Sequence, residues 1–238
     1  MRSLLCLTAL AVLIPAVALA DNVLVWSTGN TDFGDVAGVA AYLSDSGYFD
    51  SVTGINQDWA FTLPQLEQYD RVLYFSNEST SQDPVAIGNV LADYADTGRR
   101  LVVATFAWAW GQGNNTLGGR IMSDQICPFA LGGGTLYHAV TMNWNDGSDY
   151  FWNVNTVSGF FHDDVSLVPG AVAHATWSDG RVLLADKNNV AAVDLFPDGF
   201  FDPPGGDYQM LFANALAVPE PTALSALVLA GLIGLRRR

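Results

Sequence analysis

Two short apolar segments on either side of an amphipathic stretch define the centre of the sequence. Arg71–Ser76 and residues 101–106 are near-continuous apolar runs, which are typical of parallel strands buried on both faces. Asp83 is placed to cap a helix that begins at Pro84, and Gly98 supplies a left-handed stop. Apolar residues recur on one face of that helix: Ile87, Val90, Leu91 and Tyr94. The pattern predicts a βαβ unit with parallel strands and a right-handed crossover.

The chain before this unit alternates strand and helix in the same way. Residues 23–27 are an apolar β-rich run, and Asp32 or Asp35 can cap the helix that follows. Residues 51–55 predict a second strand, and residues 62–65 have the spacing of a capping box. This alternation predicts an α/β fold with a doubly wound, mostly parallel sheet.

Beyond the βαβ unit the helical period disappears and short β-like runs dominate. Residues 171–177 and 181–186 flank a turn that contains glycine, which predicts a hairpin. Residues 190–195 are a further β-like run, and Tyr208–Ala217 has the pattern of a closing amphipathic helix. The sequence therefore predicts a β-rich C-terminal extension that completes one edge of the sheet.

Both termini have the composition of targeting segments. Residues 1–20 combine a positive charge, an apolar run and an Ala-Leu-Ala end, which predicts a signal peptide cleaved between Ala20 and Asp21. The tail at residues 218–238 contains an apolar stretch that spans about 21 Å as a helix, short of the roughly 30 Å bilayer core. We therefore expect one folded domain at residues 21–217.

Charge and cysteine usage limit the partners. The chain has 238 residues and a formal net charge of −14 at pH 7, and an acid-rich surface repels phosphate backbones, so no nucleic-acid partner is expected. Solubility outside the cell explains the acidity, and affinity for divalent cations is the alternative. Cys6 lies in the leader, so Cys127 is the one thiol of the mature chain and no internal disulfide can form.

The C-terminal tail has three parts in a fixed order. They are the Pro219-Glu220-Pro221 motif, an apolar helix at residues 223–235, and the basic end formed by Arg236, Arg237 and Arg238. In this arrangement the tail resembles the PEP-CTERM sorting signal. The resemblance implies export by the secretion machinery of a Gram-negative-type bacterium, transient anchoring in the inner membrane, and cleavage near the motif by an exosortase. It also implies an association with exopolysaccharide and biofilm matrix.

Five segments of the body carry a second resemblance: residues 23–30, 63–77, 83–106, 117–129 and 210–216. They resemble the class I glutamine amidotransferase-like, ThuA-like domain, which has a flavodoxin-like sheet. Catalytic members of that class hold their nucleophile on a tight strand-to-helix elbow between glycines. Residues 105–110 contain neither Cys nor Ser, so that nucleophile is absent and no catalytic residue is assigned.

Other titratable residues offer weaker candidates. Cys127 could pair with a histidine, but its apolar setting favours a packed thiol. His162 precedes Asp163 and Asp164, and adjacent residues of an extended segment point to opposite faces, so a surface loop is the favoured interpretation. Acidic residues of the late loops are weak Ca²⁺ candidates without EF-hand spacing: Asp194, Asp198, Asp202 and Asp207, with Asp146 and Asp149. No cofactor is predicted.

Aromatic residues among Asn, Asp and Gly suggest a ligand surface. In doubly wound sheets ligands bind beyond the carboxyl ends of the strands, so the loops at residues 28–32, 77–82 and 107–115 should share one rim. Trp rings beside amides and carboxylates suit sugar rings, and core packing is the alternative. The aromatic candidates are Trp108, Trp110, Trp144, Trp152, Phe160 and Phe161. The ligand-binding candidates near the rim are Trp108, Trp110, Asn114 and Arg120.

Three functions follow from these observations. The first is a non-enzymatic exported protein of the cell surface or extracellular matrix that binds exopolysaccharide. The second is a hydrolase of ThuA-like or amidotransferase-like type with a non-standard active site, and the third is a matrix protein without a ligand.

Overall fold

The computed structural model describes residues 21–29, 36–76, 83–108, 116–130, 132–199 and 204–218. The strands in these ranges are β1 (Asn22–Thr28), β2 (Ser51–Asn56), β3 (Arg71–Ser76), β4 (Arg100–Ala104), β5 (Phe129–Ala130), β6 (Thr135–Asn145), β7 (Val157–Asp163), β8 (Ser166–Leu167), β9 (Val172–Trp177), β10 (Val182–Lys187), β11 (Val190–Val193) and β12 (Gly205–Gly206). The helices are α1 (Val36–Asp45), α2 (Leu63–Leu66), α3 (Pro84–Asp96), α4 (Arg120–Ser123) and α5 (Tyr208–Ala217), with a 3₁₀ turn at Asp149–Phe151.

Some predictions fall outside these ranges. They are the signal peptide, the α1 caps Asp32 and Asp35, and the sorting tail from Pro219 onward. Among the described residues, no helix is both long and apolar enough to cross a membrane.

Half of the main sheet is parallel. The described residues form a ten-stranded sheet in which β2, β1, β3, β4 and β11 are neighbours in that order and run in the same direction. The predicted βαβ unit is confirmed as β3, α3 and β4. This is the α/β, doubly wound arrangement expected from the alternation of strand and helix.

The other half is antiparallel and contains β10, β9, β6, β7 and β12 in that order. The predicted hairpin is confirmed as β9 and β10, and the β-rich extension does complete one side of the sheet. Val190–Val193 differs from the expectation, because it does not lie at an edge. The chain turns at Asn188, which has a φ of 56°, and β11 then pairs in parallel with the fully buried β4.

Two core clusters cover the faces of the parallel half. Leu73 of β3 packs in a cluster with Leu43 of α1 and Phe212 of α5. Its neighbour Val72 points to the opposite face and packs in a cluster with Leu91 of α3. The alternation within one buried strand therefore supplies both faces, which explains the continuous apolar runs of the sequence.

Local signals begin α2 and α3 and end α3 as predicted. The Asp83 carboxylate accepts a hydrogen bond from the Ala86 N–H at 2.9 Å, and the Gln65 side chain accepts one from the Thr62 N–H at 2.8 Å. Gly98 adopts a φ of +84° just beyond α3, a conformation that a residue with a Cβ rarely adopts.

Candidate functional site

The carboxyl ends of the parallel strands meet at one edge of the sheet, as predicted. The Phe106 N–H, beyond β4, donates to the Ser76 carbonyl at the end of β3 with an N–O distance of 3.3 Å. The Thr105 hydroxyl donates to the Asp194 carboxyl, which follows β11, at 3.0 Å. Most of the three predicted rim loops lies outside the described residues. The described part of this rim therefore consists mainly of the strand ends themselves.

Two buried aspartates, Asp163 and Asp194, lie next to each other at these strand ends. The Asp163 N–H donates to Asp194 Oδ1 at 2.7 Å, and the Thr135 hydroxyl donates to Asp163 Oδ1 at 2.7 Å. Burial raises the pKa of Asp163 to about 7, and burial together with the Asp163 charge raises the pKa of Asp194 well above its usual range. The pair therefore holds a proton more tightly than an exposed carboxyl group would.

The weak calcium candidates do not converge. Asp194 is buried in the pair just described, and Asp198 is also buried. Asp207 precedes α5 and accepts hydrogen bonds from the Asn155 and Thr156 N–H groups at 2.7 and 3.2 Å. Within the described ranges the three carboxylates form no group with ligand atoms at metal-binding distances, and Asp202 lies outside those ranges.

The ligand candidates near the rim have structural roles where they are described. Trp108 is fully buried, its ring packs edge-on against Phe129 at 5.0 Å, and its indole N–H donates to Cys127 Sγ at 3.2 Å. Trp108 therefore packs in the core, which was the alternative to a role in sugar binding. Arg120 lies at the start of α4 and pairs with three carboxylates: Asp93, Asp96 and Asp124. Trp110 and Asn114 lie outside the described residues.

Two histidines and a carboxylate converge in the antiparallel half. His162 Nε2 lies 3.0 Å from Asp179 Oδ2, and His138 Nε2 lies 3.4 Å from the same oxygen. The two imidazole rings pack edge to face with centroids 4.7 Å apart. The prediction of a surface loop at His162 is wrong, because His162 and Asp163 are buried in β7. Their side chains do diverge as expected, His162 towards Asp179 and Asp163 towards Asp194.

Burial and hydrogen bonds shift the pKa values of His162 and Asp179 in this cluster. Burial lowers the pKa of His162, and the Asp179 hydrogen bond offsets that effect only in part. Burial would raise the pKa of Asp179, but hydrogen bonds from the Arg181 backbone and His162 hold it below its usual value. The Arg181 guanidinium also donates to Asp179 at 2.9 Å and to Asp164 at 3.0 Å. Neutral imidazole and ionised carboxylate are the forms that bind metal ions.

A different surface presents an aromatic ring to solvent. Trp152 has 66% of its surface exposed, immediately after the 3₁₀ turn between β6 and β7. It lines two pockets of about 280 and 270 Å³, and Asp149 lines both of them too. Asn153 and Asn155 complete the polar wall of the first pocket. An exposed indole beside carboxylate and amide groups is the arrangement that suits sugar binding. It lies outside the predicted rim.

Hydrogen bonds hold the Trp152 loop, residues 148–155, in its middle and at its C-terminal end. The side-chain amide of Asn214 in α5 donates to the Tyr150 and Trp152 carbonyls at 3.0 and 2.8 Å. The Asp207 carboxylate accepts from the backbone at Asn155 on the other side. The loop is therefore tied to α5 through its backbone, which leaves the indole free.

Comparisons with known proteins bear on the fold. No protein-family model matches the chain, and no curated protein matches it. A structure described as a ThuA-like protein from Parabacteroides merdae is 11% identical, covers 83% of this chain and 89% of its own, and has a TM-score of 0.54. This chain shares the α/β fold of that structure. A second structure described as ThuA-like, from Bacteroides uniformis, is 8% identical, with coverages of 87% and 95% and a TM-score of 0.53.

A third solved structure has a similar α/β fold. It is described as a GMP synthase component from Thermoplasma acidophilum, is 9% identical, covers 91% of this chain and 98% of its own, and has a TM-score of 0.53. In this chain Thr105 follows β4, and its hydroxyl donates a hydrogen bond to Asp194. Burial raises the pKa of the Cys127 thiol to about 11, as expected for a packed cysteine.

Proposed function

We propose that this protein is an exported, non-enzymatic protein of the cell surface or extracellular matrix, and that it binds neutral polysaccharide at Trp152. The observation that carries the proposal is the exposed indole on a fixed loop between two pockets. Sugar rings have apolar C–H faces that stack on aromatic rings and hydroxyls that need hydrogen-bond partners. Trp152 supplies the aromatic ring for stacking. The hydrogen-bonding groups belong to Asp149, Asn153 and Asn155.

The loop is suited to binding because its backbone is already ordered. Association costs about 0.5–1.5 kcal/mol for each flexible side chain that becomes immobilised, and further ordering of a loop adds to that cost. The hydrogen bonds from Asn214 and to Asp207 already order this loop, so binding does not have to meet the free-energy cost of ordering it. The pockets, at about 280 and 270 Å³, lie near the lower end of the roughly 300–1,000 Å³ common for ligand sites, so one or two sugar units of a longer chain fit them best.

The charge of the protein favours uncharged glycans. The net charge is −14, and Asp149 stands at both pockets. Uronate-rich or sulfated polysaccharides would be repelled, with the repulsion decreasing as salt screens it. Neutral polysaccharide therefore fits the site better than an acidic one.

Export and sorting rest on the two terminal segments. Residues 1–20 would direct secretion with cleavage between Ala20 and Asp21, and the tail would act as a PEP-CTERM signal cleaved by an exosortase. Replacing Pro219-Glu220-Pro221 by alanines should leave unprocessed protein at the inner membrane, which fractionation and immunoblotting would reveal. Normal processing of that variant would contradict the sorting proposal.

Trp152→Ala tests the binding site. We expect it to weaken retention on a neutral exopolysaccharide by about tenfold, because the stacking surface is lost while the fold is kept. Trp59→Ala is the matched control, since Trp59 is 65% exposed and lies far away in sequence, after β2. Equal retention of both variants and the wild type would contradict the site. Absence of binding by the wild-type protein would favour a matrix protein without a glycan ligand.

A hydrolase is the second candidate, and the buried carboxyl pair at the rim favours it. Asp194 follows β11 at the carboxyl ends of the parallel strands, where ligands bind in doubly wound sheets, and burial raises its pKa as a general acid requires. Turnover of sugar or amide substrates that Asp194→Asn abolishes would establish this function. No turnover in the wild type would leave binding as the function.

A further inference from the structure

The cluster formed by His138, His162 and Asp179 has the composition of a metal site. Its three ligand atoms, His138 Nε2, His162 Nε2 and Asp179 Oδ2, all lie within 4.8 Å of one another. A tetrahedral ion with bonds of about 2.0–2.1 Å places its ligand atoms roughly 3.3 Å apart. The distances to Asp179 Oδ2, 3.0 Å from His162 and 3.4 Å from His138, already match that spacing.

Three separate backbone segments hold these side chains. His138 lies on β6 and His162 on its antiparallel neighbour β7, while Asp179 lies in the turn between β9 and β10. That turn is docked on β6, because the Ser178 N–H donates to the Thr141 carbonyl at 2.8 Å. The ligand set is therefore positioned by the sheet itself, which reduces the cost of assembling it.

Exposure leaves room for an ion and a further ligand. The His162 side chain is fully buried, whereas the His138 side chain has 49% of its surface exposed. The cluster is thus anchored on its inner side and accessible on its outer side. Three protein ligands with a fourth position open to water is the arrangement of reactive rather than purely structural zinc sites.

Arg181 competes with a metal ion for Asp179, but it also has a second carboxylate partner. Its guanidinium donates to Asp179 Oδ2 at 2.9 Å, which is the oxygen an ion would take. The same guanidinium has a second partner in Asp164 at 3.0 Å. When an ion binds Asp179, Arg181 can keep its Asp164 contact, so it does not become an unpaired cation.

We propose that His138, His162 and Asp179 bind one divalent transition-metal ion of the zinc class. Two imidazole nitrogens and one carboxylate favour Zn²⁺, Co²⁺ or Ni²⁺ over Ca²⁺ and Mg²⁺, which prefer all-oxygen ligands. The site is separate from the Trp152 loop, and none of the calcium candidates that the sequence suggested is among its three ligands. It therefore adds a metal-dependent property to the proposed function.

Calorimetric titration of the full chain with Zn²⁺ tests the proposal. We expect one site that excess Ca²⁺ does not block, and at least about 100-fold weaker binding in His138→Ala and in Asp179→Asn, because each change removes a ligand. His174→Ala is the matched control, since His174 also contacts two carboxylates, Asp146 and Asp186, without a second histidine. It should bind Zn²⁺ as the wild type does.

His138→Ala keeps the test independent of folding, because its side chain is half exposed and circular dichroism can verify the native fold. Absorption of bound Co²⁺ in the visible range gives a second readout of the same ligand set. Absence of Zn²⁺ binding in the wild type, or unchanged binding in folded His138→Ala, would overturn the assignment.

Discussion

The parallel and antiparallel halves of the sheet differ in where they place polar side chains. β4 is buried along its whole length, and β3 along all but its first residue, whereas β6 has buried, half-buried and exposed residues intermixed. The chain's three histidines all lie in the antiparallel half, on β6, β7 and β9. The exposed Trp152 also lies there, between β6 and β7.

This difference separates stability from recognition. A parallel strand covered on both faces must be apolar, so β3 and β4 contribute almost only core residues and offer few side chains for chemistry. An antiparallel extension can expose one face and carry loops whose side chains reach solvent. In this protein the histidine cluster and the exposed Trp152 lie in the extension, and the buried carboxyl pair lies at its junction with the rim. The Arg120 ion pairs lie on helices that cover the parallel half.

The largest expected effect tests the role of the parallel half. Leu73→Ala, at a fully buried site in β3, should lower the free energy of unfolding by about 3 kcal/mol through lost burial and a cavity. Val172→Ala, at a site 54% exposed in β9, should cost less than about 0.5 kcal/mol. Urea unfolding measures both, and equal losses would contradict the division between the halves.

A smaller effect tests how the halves are joined. The Tyr150 hydroxyl accepts from Arg100 of β4 at 2.8 Å and donates to Asp186 of β10 at 2.7 Å, so it connects the two halves. Tyr150→Phe should cost about 2 kcal/mol, because both charged groups lose a partner in a mostly buried setting. Tyr48→Phe, at an exposed ring, is the control and should be near neutral. Equal stability of the Tyr150→Phe variant and the wild type would show that other contacts join the halves.

The smallest effect concerns the pH response of the antiparallel half. His174 Nδ1 lies 2.7 Å from Asp146 and its Nε2 lies 3.2 Å from Asp186. Burial would lower the pKa of His174, but the two carboxylates outweigh it and raise the pKa above its usual 6.5. A raised pKa adds stability that is fully present below pH 6.5 and is lost as the pH rises through the folded-state pKa.

His174→Gln should therefore destabilise the protein by about 1.5 kcal/mol at low pH and by less at high pH. Chemical denaturation at a series of pH values between about 5.5 and 8.5 compares the variant with the wild type. A loss that stays constant over that interval, or grows with pH, would mean that the charged form of His174 is not what stabilises the fold.

The sequence predicted the parallel half well because its signals are local. Asp83, Pro84 and Gly98 begin and end α3 by their own backbone preferences, and the flanking apolar runs need no partner to be recognised. The histidine cluster could not be predicted in this way. His138 and His162 meet only through the β6–β7 register, and Asp179 meets them only after the β9–β10 hairpin docks.

The tryptophans show the same limit. Trp108 and Trp152 both lie in irregular segments, each directly after an apolar residue. Trp108 is buried against Phe129 and Cys127, which arrive from beyond α4. Trp152 stays exposed because Asn214 of α5 holds the loop by its carbonyls. Burial of each ring is decided by residues that are distant in sequence.

Hydrogen–deuterium exchange of the full chain, with and without a neutral exopolysaccharide, tests the central claim most directly. The account predicts slower exchange in residues 148–155 and in α5 when the polysaccharide is present, with unchanged exchange at the ends of β1, β3 and β4. Protection at those strand ends, with none in residues 148–155, would place recognition at the rim of the parallel half and contradict the account.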